Sequence, residues 1–142
     1  MNPRAVSHSS AEDQWQGRLS VRIDSTPVQS LSSAFELRGD LTNGELVLTS
    51  PLGTVLAQAR WDARGVQWQA GSETAVFANL DELAWRLTGT ALPFAALWDW
   101  LRGMPTQAGG WQVNLQDYAQ GRISAQREQP LPTATLRIVL ER

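Results

Sequence analysis

Apolar and polar residues alternate along most of this chain. From Trp15 to Asp24, the apolar Trp15, Leu19, Val21 and Ile23 are spaced by Gln16, Arg18, Ser20 and Arg22. Leu31, Phe35 and Leu37 keep that phase in the next run. Val55, Ala57, Ala59 and Trp61 follow, then Val66 and Trp68. Trp111, Val113 and Leu115 alternate with Gln112, Asn114 and Gln116, and Ile123 and Ala125 come next. Leu136, Ile138 and Leu140 close the chain against Arg137 and Glu141. A period of two turns one face to a core and the other to water, the pattern of an antiparallel sheet. Asn43-Gly44, Arg64-Gly65 and Gln120-Gly121 read as hairpin turns, the first most strongly. Gln126 to Pro132 reads as a loop before the last strand.

The period changes twice. Leu80, Leu83, Ala84 and Leu87 fall at helical spacing, with Asn79 and Glu82 as a capping box and Gly89 as the stop. Phe94, Leu97, Trp98 and Leu101 repeat that spacing between Pro93 and Gly103. About eight to ten strands and two helices predict an α+β fold. A sheet that large curls, and two short helices cover only part of its concave face. Large side chains or a ligand must fill the rest. Trp15, Trp61, Trp68 and Trp111 all lie on apolar phases, as core or as the lining of an apolar cavity.

One turn stands apart. Ser50-Pro51-Leu52-Gly53 lies between the apolar runs Leu46-Val47-Leu48-Thr49 and Thr54-Val55-Leu56-Ala57. Pro51 fixes its own φ and Gly53 permits a positive one. Turns sit at the surface, and this one carries a leucine. Either Leu52 folds back to cap the core, or it stands out as a small apolar probe.

Composition narrows the function. The 142 residues suit one domain, 14–142, after a polar lead-in over 1–13. The formal charge is −2, all 12 basic residues are arginine, and no basic patch points to nucleic acid. No cysteine is present, which excludes a disulfide, a thiol nucleophile and a thiolate metal site. The single histidine, His8, lies in the lead-in, away from any Ser-His-Asp arrangement. Asp81 and Glu82 diverge on their helix and suit its dipole. The expectation is a protein without enzymatic activity, cofactor or metal.

Three motifs in order carry a resemblance. They are Leu46-x-Leu48-x-Ser50-Pro51-Leu52-Gly53-Thr54, Leu87-Thr88-Gly89-x-x-Leu92-Pro93, and Leu97-x-x-Trp100-Leu101-Arg102-Gly103-x-Pro105. With Trp111-x-Val113, Tyr118 and Leu136-Arg137-Ile138, the chain resembles the LolB family from about Trp15 to Arg142. The resemblance implies an incomplete antiparallel barrel with a helical lid over an apolar cavity. It implies a monomer that accepts acylated lipoproteins from the periplasmic carrier LolA and delivers them to the inner leaflet of the outer membrane. By motif, Pro51, Leu52 and Gly53 match the family's membrane-insertion loop. Trp15, Phe35, Trp61, Trp68, Leu83, Leu97, Trp98, Leu101 and Trp111 are the expected cavity lining. Family members carry a signal peptide and an acylated cysteine, so this chain is expected to start beyond such an anchor, which would hold it at the periplasmic face of the outer membrane. Only Ala11 to Gln14 stand where the family has a longer first helix, so the lid is expected to rest on the two central helices. A LolA-like soluble carrier and a general apolar-ligand binder are the alternative readings.

Overall fold

In the computed structural model, residues 14–141 are described. The lead-in over 1–13, with His8, lies outside them. Nine strands form one antiparallel sheet: β1 Gln14–Ile23, β2 Gln29–Gly39, β3 Gly44–Thr49, β4 Val55–Asp62, β5 Gly65–Ala70, β6 Glu73–Phe77, β7 Trp111–Asn114, β8 Arg122–Arg127 and β9 Ala134–Leu140. Helix α1 spans Leu80–Thr88 and α2 spans Phe94–Leu101. The strand order is β6-β5-β4-β3-β2-β1-β9-β8-β7, so every neighbour is sequential except that β9 pairs with β1. The sheet does not close, because β6 and β7 remain its two edges. The α+β layout is the one expected from the alternation, and the open barrel with a helical lid is the one the resemblance implied.

The inward phase of the strands forms the core. Val21, Ile23, Phe35, Leu37, Leu48, Ala59, Trp61, Val66, Ile123, Ala125, Leu136 and Ile138 are buried. The helices roof it. Asn79 Oδ1 accepts from the Glu82 N–H at 2.9 Å, and Glu82 reaches back to the Ala78 N–H at 3.4 Å, one residue before the cap. Gly89, at φ 74°, ends α1.

The local readings change in detail. Asn43-Gly44 does end a hairpin, β2–β3, through a four-residue connection over 40–43. The β2–β3 connection is held by Asp40, whose carboxylate accepts from the Thr42 N–H, the Thr42 hydroxyl and the Asn43 N–H at 2.7–3.0 Å. The glycine at position 44 also serves close approach: a Cβ there would collide with the Trp61 ring. Gln120-Gly121 ends the 3₁₀ helix Tyr118–Gln120 in a longer β7–β8 connection. Gln126 and Arg127 belong to β8, so the loop before β9 begins at Glu128.

A β-bulge also alters β4. Leu48 opposes Ala57 and Thr49 opposes Val55, leaving Leu56 as the extra residue. Strict alternation had Val55 on the core face. The bulge leaves Val55 exposed and gives Leu56 to the cavity rim.

Candidate functional site

Between the sheet and the helices lies a cavity of about 340 Å³ with an almost wholly apolar lining. That is the low end of the usual range for a ligand pocket. The sheet contributes Val21, Phe35, Leu37, Leu48, Ala57, Ala59, Trp61 and Trp68, among others. Helix α1 contributes Leu80, Leu83, Ala84 and Leu87, the face its spacing predicted, and α2 contributes Phe94, Leu97, Trp98 and Leu101.

Two tryptophans of the lining stand at the β2–β3 end of this cavity. Trp61 and Trp98 meet edge to face, with ring centroids 6.1 Å apart. Trp61 Nε1 donates to the Asp40 carbonyl at 2.7 Å, and Trp98 Nε1 donates to the Gly39 carbonyl at 3.0 Å. Both rings therefore hang on the β2–β3 turn. The hydrogen bonds from Thr42 and Asn43 hold the Asp40 carboxyl below its ordinary pKa.

The other end is open. The exposed residues of the lining are Gln29 and Ser30 at the start of β2, Leu56 at the bulge, and Leu87 in the last turn of α1. Next to Leu56 is the β3–β4 loop. Gly53 N–H donates to the Ser50 carbonyl and Ser50 N–H donates to the Thr54 carbonyl, both at 2.9 Å. With Gly53 at φ 88°, this is a three-residue hairpin loop closed by a left-handed glycine. Its tip, Leu52, is 94% exposed, so it does not fold back onto the core.

Of the nine residues expected to line the cavity, Phe35, Trp61, Trp68, Leu83, Leu97, Trp98 and Leu101 do so. Trp15 and Trp111 do not. Trp111 packs on Trp100, 6.4 Å between centroids, and Trp100 projects from α2 away from Trp98. Residues two apart on a helix point about 200° apart, so the α2 tryptophans serve different sides. Trp15 is the second residue of β1, and the Arg102 guanidinium lies 5.7 Å from its ring centroid.

Arg127 was not legible as a functional residue. It occupies the inward phase of β8 after Ile123 and Ala125, and that misfit with the alternation was the available signal. Only 4% exposed, it donates from Nη2 to Thr90 Oγ1 at 3.0 Å and to the Pro132 carbonyl at 2.7 Å. Nη1 reaches the Ala91 carbonyl at 3.4 Å. One side chain thus ties the α1–α2 connection to the β8–β9 loop. Helix α2 has further polar ties: Trp98 to Gly39, Trp100 Nε1 to the Thr106 carbonyl, and the Tyr118 hydroxyl to the Leu101 carbonyl.

An open antiparallel half-barrel, roofed by helices over an apolar cavity, has the form of a pocket suited to apolar ligands. The chain belongs to the LolB family: residues 13–141 match the family described as Outer membrane lipoprotein LolB. Membership supports the role of an outer-membrane lipoprotein receptor, in lipoprotein binding and transport. No curated protein matches the chain. Among the described residues, no helix is long and apolar enough to cross a membrane.

Proposed function

We propose that the protein takes acylated lipoproteins from a LolA-type periplasmic carrier, shelters their acyl chains in the cavity, and releases them into the inner leaflet of the outer membrane. It acts as a monomer through residues 14–142, and the lipoprotein character of the family supports a lipid tether at the periplasmic face. The observation that carries this reading is one juxtaposition: the cavity mouth and the exposed Leu52 lie at the same end of the sheet. Each methylene leaving water is worth about 0.8 kcal/mol. Small differences in fit between carrier, cavity and bilayer are therefore multiplied along a chain, and direction follows without a covalent step. A cavity of about 340 Å³ is small for a lipid with several chains, so loading displaces α1, whose inward leucines form its roof.

The Leu52→Glu variant tests the delivery step. Leu52 touches no core residue that its loss would expose, so the fold and acyl binding are retained. A carboxylate resists entry into an apolar phase, so transfer of a triacylated lipopeptide to liposomes falls at least about tenfold, a change of about 1.4 kcal/mol in the barrier. Transfer at the wild-type rate would contradict the role given to the loop.

A further inference from the structure

The antiparallel register sorts the connections into two ends of the sheet. The β2–β3, β4–β5 and β7–β8 connections share one end, and the β1–β2, β3–β4, β5–β6 and β8–β9 connections share the other. The two ends differ in chemistry. The first is built mainly on charged turns, Asp40 in β2–β3, Asp62 with Arg64 in β4–β5 and Asp117 in β7–β8, with a single large aliphatic tip residue, Leu41, 41% exposed beside Asp40. The second displays an aliphatic side chain in three of its four connections, the short Gly71-Ser72 turn of β5–β6 being the exception. Val28 is 48% exposed, Leu52 is 94% exposed and Leu131 is 71% exposed. Leu131 stands between Pro130 and Pro132, as Leu52 stands between Pro51 and Gly53. The two charged residues of these three connections, Asp24 and Glu128, directly follow β1 and β8 rather than sitting at the tips. Asp24 is also paired with Arg22 at 2.8 Å.

These tips are evenly spread. Successive connections on this end are two strands apart, or about 10 Å at the usual strand spacing. The Asp24 N–H donates to the Thr133 carbonyl at 2.8 Å, joining the β1–β2 and β8–β9 loops directly. The exposed cavity residues Gln29, Ser30 and Leu56 belong to this same end.

We propose that this rim seats on a lipid bilayer at three points, with Leu131 and Val28 entering the interface beside Leu52. This proposal rests on the membrane-delivery reading above and extends it. Separate aliphatic points with polar backbone between them make a poor match to a protein partner, which needs one contiguous packed patch. A fluid apolar phase accepts each point separately. Three contacts fix an orientation where one allows the molecule to swivel, and this orientation turns the mouth toward the leaflet.

The absence of cysteine makes the test direct. Single-cysteine variants Val28→Cys, Leu52→Cys, Leu131→Cys and, as a control at the far end, Arg64→Cys are labelled with an environment-sensitive dye. They are titrated with vesicles of phosphatidylethanolamine and phosphatidylglycerol. The expected result is a blue shift at 28, 52 and 131 and none at 64. A shift at 52 with silence at 28 and 131 would overturn the three-point contact and leave the single-loop reading standing. Silence at all four would overturn both. A shift at 131 with the LolA-type carrier alone, and none with vesicles, would assign that loop to a protein partner and overturn the proposal. As an independent measure, Leu131→Glu is expected to slow liposome transfer at least threefold with circular dichroism unchanged. An unchanged rate would count against Leu131.

Discussion

Asp40 shows how much one turn residue can carry. Its carboxylate gathers two backbone N–H groups and a hydroxyl, while its carbonyl takes the Trp61 indole. The turn at this end of the cavity is thus held by the same residue that anchors the Trp61 ring. The first bond, from the Thr42 hydroxyl, contributes most to lowering the Asp40 pKa. The folded pKa lies below the unfolded value of about 3.9. Stability from this group is therefore present above about pH 4 and is lost as pH falls through the folded pKa. Comparing urea midpoints of the wild type and Asp40→Asn across pH checks this: the wild-type advantage shrinks below about pH 4. An advantage that does not vary with pH would contradict the assignment.

At the scale of elements, Arg127 joins parts that are distant in sequence. Its guanidinium hydrogen bonds to Thr90, Ala91 and Pro132 tie the α1–α2 connection to the β8–β9 loop. Arg127→Met keeps most of the volume and strands those acceptors. Hydrogen bonds from a charged donor are worth about 1.5–3 kcal/mol each before relaxation, so a net loss of about 2–3 kcal/mol is expected in urea denaturation, with faster amide exchange in α1. A loss under about 0.5 kcal/mol would show that the connection is held by other means. The same elements mark what alternation and capping could reveal. Both helices were legible because their apolar residues fall at 3.6-residue spacing and Asn79, Gly89 and Gly103 punctuate them. Most strands were legible from period two. Strand β6 was not, because its Val76 faces water at an edge and the run offers no clean alternation. The bulge at Leu56 was hidden for a related reason: one inserted residue reverses the phase without leaving a mark in composition. At the site, Phe35, Trp61 and Trp68 were legible from strand phase. Trp15 and Trp111 share that phase but sit beyond the reach of the cavity, and phase says which face a residue occupies, not how far along the sheet it lies.

For the molecule as a whole, the account is one of polarity between two ends. Trp61 and Trp98 hang from the charged β2–β3 turn at one end, and the exposed lining residues lie at the other, beside Leu52. Filling the space between tests whether the cavity is where acyl chains reside. Ala57 lies on its floor, and Ala57→Phe projects a ring into free volume. Overpacking a filled core costs about 1–3 kcal/mol, whereas a ring entering a void leaves the melting temperature nearly unchanged. Lipopeptide affinity is then expected to fall at least about tenfold, about 1.4 kcal/mol. Unchanged affinity in a folded variant would remove the acyl chains from this cavity. The most direct measurement is photocrosslinking with a lipopeptide whose acyl chain carries a terminal diazirine, followed by peptide mapping of the labelled protein. The account predicts labels on the lining, at Trp61, Trp68, Leu83, Leu97 and Trp98, which vesicles added before irradiation prevent in the wild type but not in Leu52→Glu. Labels confined to outward residues such as Val76 and Trp85, or spread without preference, would contradict it.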